Sequence, residues 1–71
     1  MKVGDKYFHY KNKKHFYKII AVGFIEETEK PCVVYQAERG EKIVWVRTAK
    51  EFFSKVELPN GSKVDRFTKV E

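Results

Sequence analysis

Apolar and aromatic residues come in short blocks along this chain, and each block ends at a polar cluster or at a single glycine or proline. Blocks rich in β-branched and aromatic residues with such punctuation predict strands and turns. Residues 6–10 predict a first strand, the polar stretch 11–14 a turn, and residues 16–26 a second strand whose apolar run, 19–25, suits a core position. Residues 26–31 are too polar for a core and end in Pro31, which cannot donate in a sheet centre, so a loop is expected there. Residues 32–37 and 42–47 predict a hairpin around Arg39, Gly40 and Glu41. Thr48-Ala49-Lys50-Glu51 has the spacing of a capping box and predicts one helical turn carrying Phe52 and Phe53. A last hairpin is expected from residues 55–58 and 63–68, closed by Asn60-Gly61, because that pair readily takes the positive φ of tight turns.

Five to six short strands and one helical turn predict an all-β domain spanning residues 1–71 without linker or repeat. Rolling so small a sheet into a barrel would bury its inner face and limit its edges; a split sheet packed on the helix is the alternative. At 71 residues the chain buries only about 60% of its unfolded surface, which implies a thin core and argues against a roomy enclosed cavity. The 42% hydrophobic content, with 35% charged residues of mixed sign, is that of a folded soluble domain. Cys32 is the sole cysteine, so no internal disulfide can form and a reducing cytoplasm is the expected location. The start Met1-Lys2-Val3-Gly4-Asp5 lacks a signal-peptide apolar run, and no segment approaches the roughly 20 apolar residues of a membrane helix; no membrane role is expected.

Charge changes the picture. Residues 1–24 hold six lysines against Asp5 alone, whereas residues 25–71 balance nine bases against nine acids, so the net +5 is confined to the amino-terminal third. Tyr7, His9, Tyr10, Phe16 and Tyr17 are interleaved there with Lys11, Lys13, Lys14 and Lys18. Cations beside flat rings suit an anion that carries stackable rings, with nucleic acid the first candidate.

Several blocks together resemble a known bacterial family. They are Gly4-x-x-Tyr7-x-His9-Tyr10-Lys11, Glu27-Thr28-Glu29, Val33-Val34-Tyr35-Gln36-Ala37, Trp45-Val46-Arg47, Phe52, Gly61, Val64, Arg66 and Phe67. In that order they span nearly the whole chain and are similar to the domain of unknown function numbered 1653. The resemblance implies a small SH3-like β-barrel and assigns no activity. This chain departs from the pattern in its first turn, where Asn12-Lys13-Lys14-His15 replaces an expected glycine-containing turn, and at Thr48, where proline usually follows Trp-Val-Arg.

Candidate chemistry is sparse. His9, His15 and Cys32 do not have the spacing of a compact zinc site, and no phosphate-binding glycine loop or dinucleotide fingerprint occurs. Glu26, Glu27 and Glu29 read as a solvated loop, and Cys32 beside two valines as a small apolar side chain. No acid, base and nucleophile can be assembled, so neither an enzyme nor a cofactor is expected. Strand alternation sets Ile43, Trp45 and Arg47 on one face and Val44 and Val46 on the other. Two valines suggest that their face is the core, leaving Trp45 and Arg47 as a recognition surface; alternatively Trp45 covers a barrel end and Arg47 pairs with Glu51. Arg66 beside Phe67 is likewise an ion pair or an anion clamp.

Three ligand classes follow. The first is nucleic acid on the lysines and rings of the amino-terminal segment. The second is a peptide in an aromatic groove of Tyr7, Tyr10, Tyr35 and Trp45. The third is a small anionic metabolite or nucleotide held by Arg47, Arg66 and a tyrosine. A monomer, or a weak dimer through free sheet edges, is expected.

Overall fold

A computed structural model describes residues 1–71 as a mainly β protein of seven strands and one helical turn. The strands are β1 (Lys6–His9), β2 (Asn12–Phe24), β3 (Pro31–Ala37), β4 (Val44–Thr48), β5 (Lys55–Glu57), β6 (Lys63–Asp65) and β7 (Phe67–Lys69), with α1 (Ala49–Phe52) between β4 and β5. Five strands form one antiparallel sheet in the order β4-β3-β2-β1-β7, and β5 pairs with β6 in a second. No helix is long and apolar enough to cross a membrane.

The sheet curls without closing. Ring centroids of Tyr35 on β3 and Phe67 on β7 lie 5.3 Å apart although β2 and β1 intervene. Three strand steps of about 4.8 Å would hold them far apart on a flat sheet. The expected barrel closure is nevertheless absent, with β4 and β7 left as edges. The concave side is filled by α1 instead. Phe52 has no solvent exposure, its ring stacks on Phe67 at 4.3 Å and meets Tyr7 and Tyr35 edge-on at 5.2 Å each. With Ile19 and Val33 these residues form the core, and only Phe52, Ile19 and Val33 are fully buried. The thin core follows from the chain's size.

The helical turn is capped as its sequence predicts: Thr48 Oγ1 accepts from the Glu51 amide at 3.2 Å. Glu51 reaches back to the Thr48 hydroxyl rather than to its backbone amide, completing the box differently.

Several expectations are corrected: β3 takes in Pro31, β4 runs over Val44–Thr48 rather than 42–47, and of the apolar run 19–25 only Ile19 is in the core, the rest being exposed. The turn predicted over residues 11–14 shrinks to Tyr10 and Lys11, with β2 resuming at Asn12. Side chains do what a glycine would otherwise do there: His9 Nδ1 accepts from the Lys11 amide at 3.2 Å and Asn12 Oδ1 from the Lys14 amide at 2.9 Å. The last predicted strand, 63–68, is broken at Arg66. Its amide donates to the Ser54 carbonyl beside β5, while its carbonyl accepts from the Tyr10 amide beyond β1. Arg66 is thus the point where the chain passes from one sheet to the other, and the expected count of strands rises to seven. The last hairpin closes over Pro59, Asn60 and Gly61, of which only Gly61 takes a positive φ, 88°, while the Ser62 amide donates to Asn60 Oδ1.

Candidate functional site

Register places the site. Across β3 and β4, Trp45 pairs with Tyr35 and Arg47 with Val33, so Trp45 and Arg47 share the concave face with the core. Val44 and Val46 lie on the convex face and are largely exposed, Val46 at 63%. The expectation that these valines face the core is therefore overturned. Edge position is the reason: β4 has a neighbour on one side only, and the core ends at Tyr35 and Val33 of β3. Trp45 is half exposed despite facing inward, because the aromatic cluster behind it already fills the concavity.

Around Trp45 runs an open trough of three adjoining depressions. The central one, about 160 Å³, is lined by His9, Tyr17, Tyr35, Trp45, Arg47 and Phe67. Toward α1 it continues into about 350 Å³ bounded by Ile25, Arg47, Thr48 and Glu51. Toward the β3–β4 loop it continues into about 330 Å³ bounded by Tyr17, Arg39, Glu41 and Ile43. Trp45 borders all three. A larger depression, about 550 Å³, lies between Lys30, Pro31, Thr48, Lys50, Glu51 and Ser54, and offers no aromatic wall.

The chain has three arginines, and none makes an ion pair. Arg39 lies over the Tyr17 ring, 5.2 Å from its centroid, and donates to the Tyr17 hydroxyl at 3.2 Å. Arg66 Nε donates to Ser54 Oγ at 3.1 Å. Arg47, half-buried, has no hydrogen-bonding partner, and the alternative pairing with Glu51 is not made although both border one depression. The acids that do form ion pairs take lysines: Glu38 with Lys6, Asp65 with Lys55 and Asp5 with Lys69. His9 registers the resulting field. Its pKa is held below the ordinary histidine value, first by burial and then by the positive charges of Lys11, Arg66, Arg47 and Arg39.

The amino-terminal residues are divided between the two sides of the sheet. Tyr7 is a core residue, 6% exposed, and burial pushes its phenol pKa up. Its pairing with Tyr17 puts Tyr17 on the concave side, where His9 also lies. Phe8 pairs with Phe16 and Lys6 with Lys18 on the convex side, whereas Lys13 and Lys14 are exposed in the stretch where the β1–β2 register shifts and have no β1 partner. Tyr10 and Lys11 sit in the turn, the Tyr10 ring 4.7 Å from that of His9. Lysines and rings of this segment therefore do not form one continuous surface. His9, Tyr17, Tyr35, Trp45 and Arg47 are brought together, with Tyr10, Lys11 and Arg66 nearby; Lys14, Phe16 and Lys18 are not.

Arg39 and Phe67 are trough residues that sequence reasoning missed. Phe67 lies two strands away from Tyr17 in space but far away in sequence, so only the pairing of β7 with β1 reveals it. The position of Arg39, two residues past the end of β3 and on the face of Tyr17's partner Ala37, is a usable signal once the register is known. No group of three or more His, Cys, Asp and Glu is placed to hold a metal ion. Cys32 is a free, half-buried thiol.

No curated protein and no solved structure matches this sequence. Residues 5–69 match the family described as "Protein of unknown function (DUF1653)", and with nearly the whole chain inside that match the protein belongs to this family.

Proposed function

We propose that this protein is a non-enzymatic binding module whose site is the Trp45 trough, and that its ligand is a nucleotide-class anion, a flat ring joined to phosphate. The observation that carries the reading is the half-exposed Trp45 ring beside arginines that have no carboxylate partner. A ring stacks on exposed indole, and guanidinium groups free of internal acids are available to an external anion. The trough also argues for a short ligand. Glu41 and Glu51 border its two ends, so a long polyanion threaded along it would meet a carboxylate at each. Nucleic acid enters the reading as one source of the same chemistry, through an unpaired base and its phosphate, rather than as a duplex lying on the lysines.

Amide NMR titration with a nucleoside monophosphate, a short single-stranded oligonucleotide and a duplex tests it. Expected are shifts at Tyr17, Tyr35, Trp45 and Arg47 with the first two ligands, weakening with salt. Absence of shifts with both at low ionic strength refutes it.

One observation favours a second reading. β4 is a free edge beside the trough, and an extended peptide could add to it while placing a side chain against Trp45. Such binding would be insensitive to Arg47→Gln and lost in Trp45→Ala.

A further inference from the structure

Within the trough, the central depression differs from its neighbours in having no carboxylate on its lining. We infer that it is a phosphate seat, built from the Nε2–H of His9, the hydroxyl of Tyr35 and the guanidinium of Arg47. This rests on the nucleotide-class reading above and assigns the ligand's phosphate to a place and to named donors.

His9 is fixed as a donor by its own turn. Nδ1 accepts from the Lys11 amide, so the proton of the neutral ring resides on Nε2. Nε2 has no protein partner, and no buried side-chain nitrogen or oxygen is left without one; Nε2 therefore reaches solvent, on a ring that lines the depression. The same reasoning holds for Tyr35. Its ring is packed among Tyr17, Phe52 and Phe67 and only 5% of the residue is exposed, yet its unpartnered hydroxyl must be part of what solvent touches. Arg47 adds the charge and up to five N–H donors without an internal acceptor.

These donors come from three different strands, β1, β3 and β4. A phosphate monoester offers three terminal oxygens, one toward each, whereas a carboxylate has two oxygens in a plane and would leave a donor unmatched. The groups that bear on His9 from the elements around it are cations, Lys11 from the turn, Arg66 before β7, Arg47 on β4 and Arg39 after β3, together with the uncharged faces of Tyr10, Tyr17 and Phe67. The imidazole serves as a neutral donor in their midst. Binding should then follow the ligand's ionisation: affinity rises as pH passes the second phosphate pKa of about 6 and stays level to pH 8. A seat that needed imidazolium would lose affinity over the same range.

Ring ¹⁵N NMR of the full chain at pH 7 tests the seat, using inorganic phosphate, adenosine monophosphate and adenosine as probes. The two phosphates should shift His9 Nε2 while Nδ1 stays unprotonated, and adenosine alone should not. Arg47→Gln should weaken adenosine monophosphate about tenfold or more. Tyr35→Phe should weaken it several-fold without changing the melting temperature, since the hydroxyl has no internal partner to lose. If adenosine monophosphate binds with His9 Nε2 unmoved and both variants bind normally, the seat is overturned while the nucleotide reading stands. If inorganic phosphate fills the seat and adenosine monophosphate binds no more tightly, the seat stands and the nucleotide reading falls. If neither phosphate shifts His9 or any trough residue, both are overturned.

Discussion

Replacing Phe52 by alanine tests whether the open sheet depends on its helical plug. Phe52 is fully buried and touches three further rings of the core, stacked on Phe67 and edge-on to Tyr7 and Tyr35. Truncating such a phenylalanine costs about 3–5 kcal/mol, the transfer term plus the cavity left behind. At about 0.05–0.15 kcal/mol per residue, a 71-residue domain has roughly 4–11 kcal/mol in all, so the variant loses a large share of its stability. In a domain this small each kcal/mol moves the melting temperature by about 4–8 °C, giving a drop of at least about 12 °C. Phe53, next in sequence, is 49% exposed, and its truncation should cost no more than about 1.5 kcal/mol. Urea unfolding followed by far-UV circular dichroism measures both. Equal losses for the two variants, or a loss below 1 kcal/mol for Phe52→Ala, would refute the assignment of the helix as the plug of the sheet.

Thr48→Ala removes the helix cap and should cost about 1 kcal/mol in the same assay, with Thr48→Ser retaining most of it. Stability should also vary with pH in two windows. His9 has a folded pKa below its unfolded value of about 6.5, so the unfolded state binds the extra proton; stability is full above that value, falls as pH drops through the window beneath it, and this component vanishes in His9→Gln. Asp5 is held below the ordinary carboxylate value of 3.8, first by the Lys2 amide and further by Lys69, so its contribution is present above that pH and lost as pH falls below it; Asp5→Asn should flatten the acid limb of a melting-temperature profile.

The elements of this fold were legible because their signals are local. β3 and β4, the Thr48 cap and the Asn60-Gly61 turn each follow from a few adjacent residues. Boundaries went astray where side chains substituted for turn residues, as at His9 and Asn12, and where one residue, Arg66, serves two sheets. Facing was misread on β4 for a different reason. Alternation fixes which residues share a face but not which face is inside, and on an edge strand valine is no guide to the core. The site was half legible. Trp45, Arg47, Tyr35, Tyr17 and His9 meet in one trough, but the amino-terminal lysines could not be placed from sequence, since a strand sends neighbouring residues to opposite sides.

Trp45 is the single tryptophan of the chain and borders every part of the trough, so its fluorescence is the most direct report on the site. Titration with adenosine monophosphate at low ionic strength should give saturable quenching that weakens with added salt and is diminished about tenfold in affinity by Arg47→Gln. Fluorescence unchanged through the titration, while amide shifts gather on Phe8, Phe16 and Lys18 of the convex face, would contradict the account.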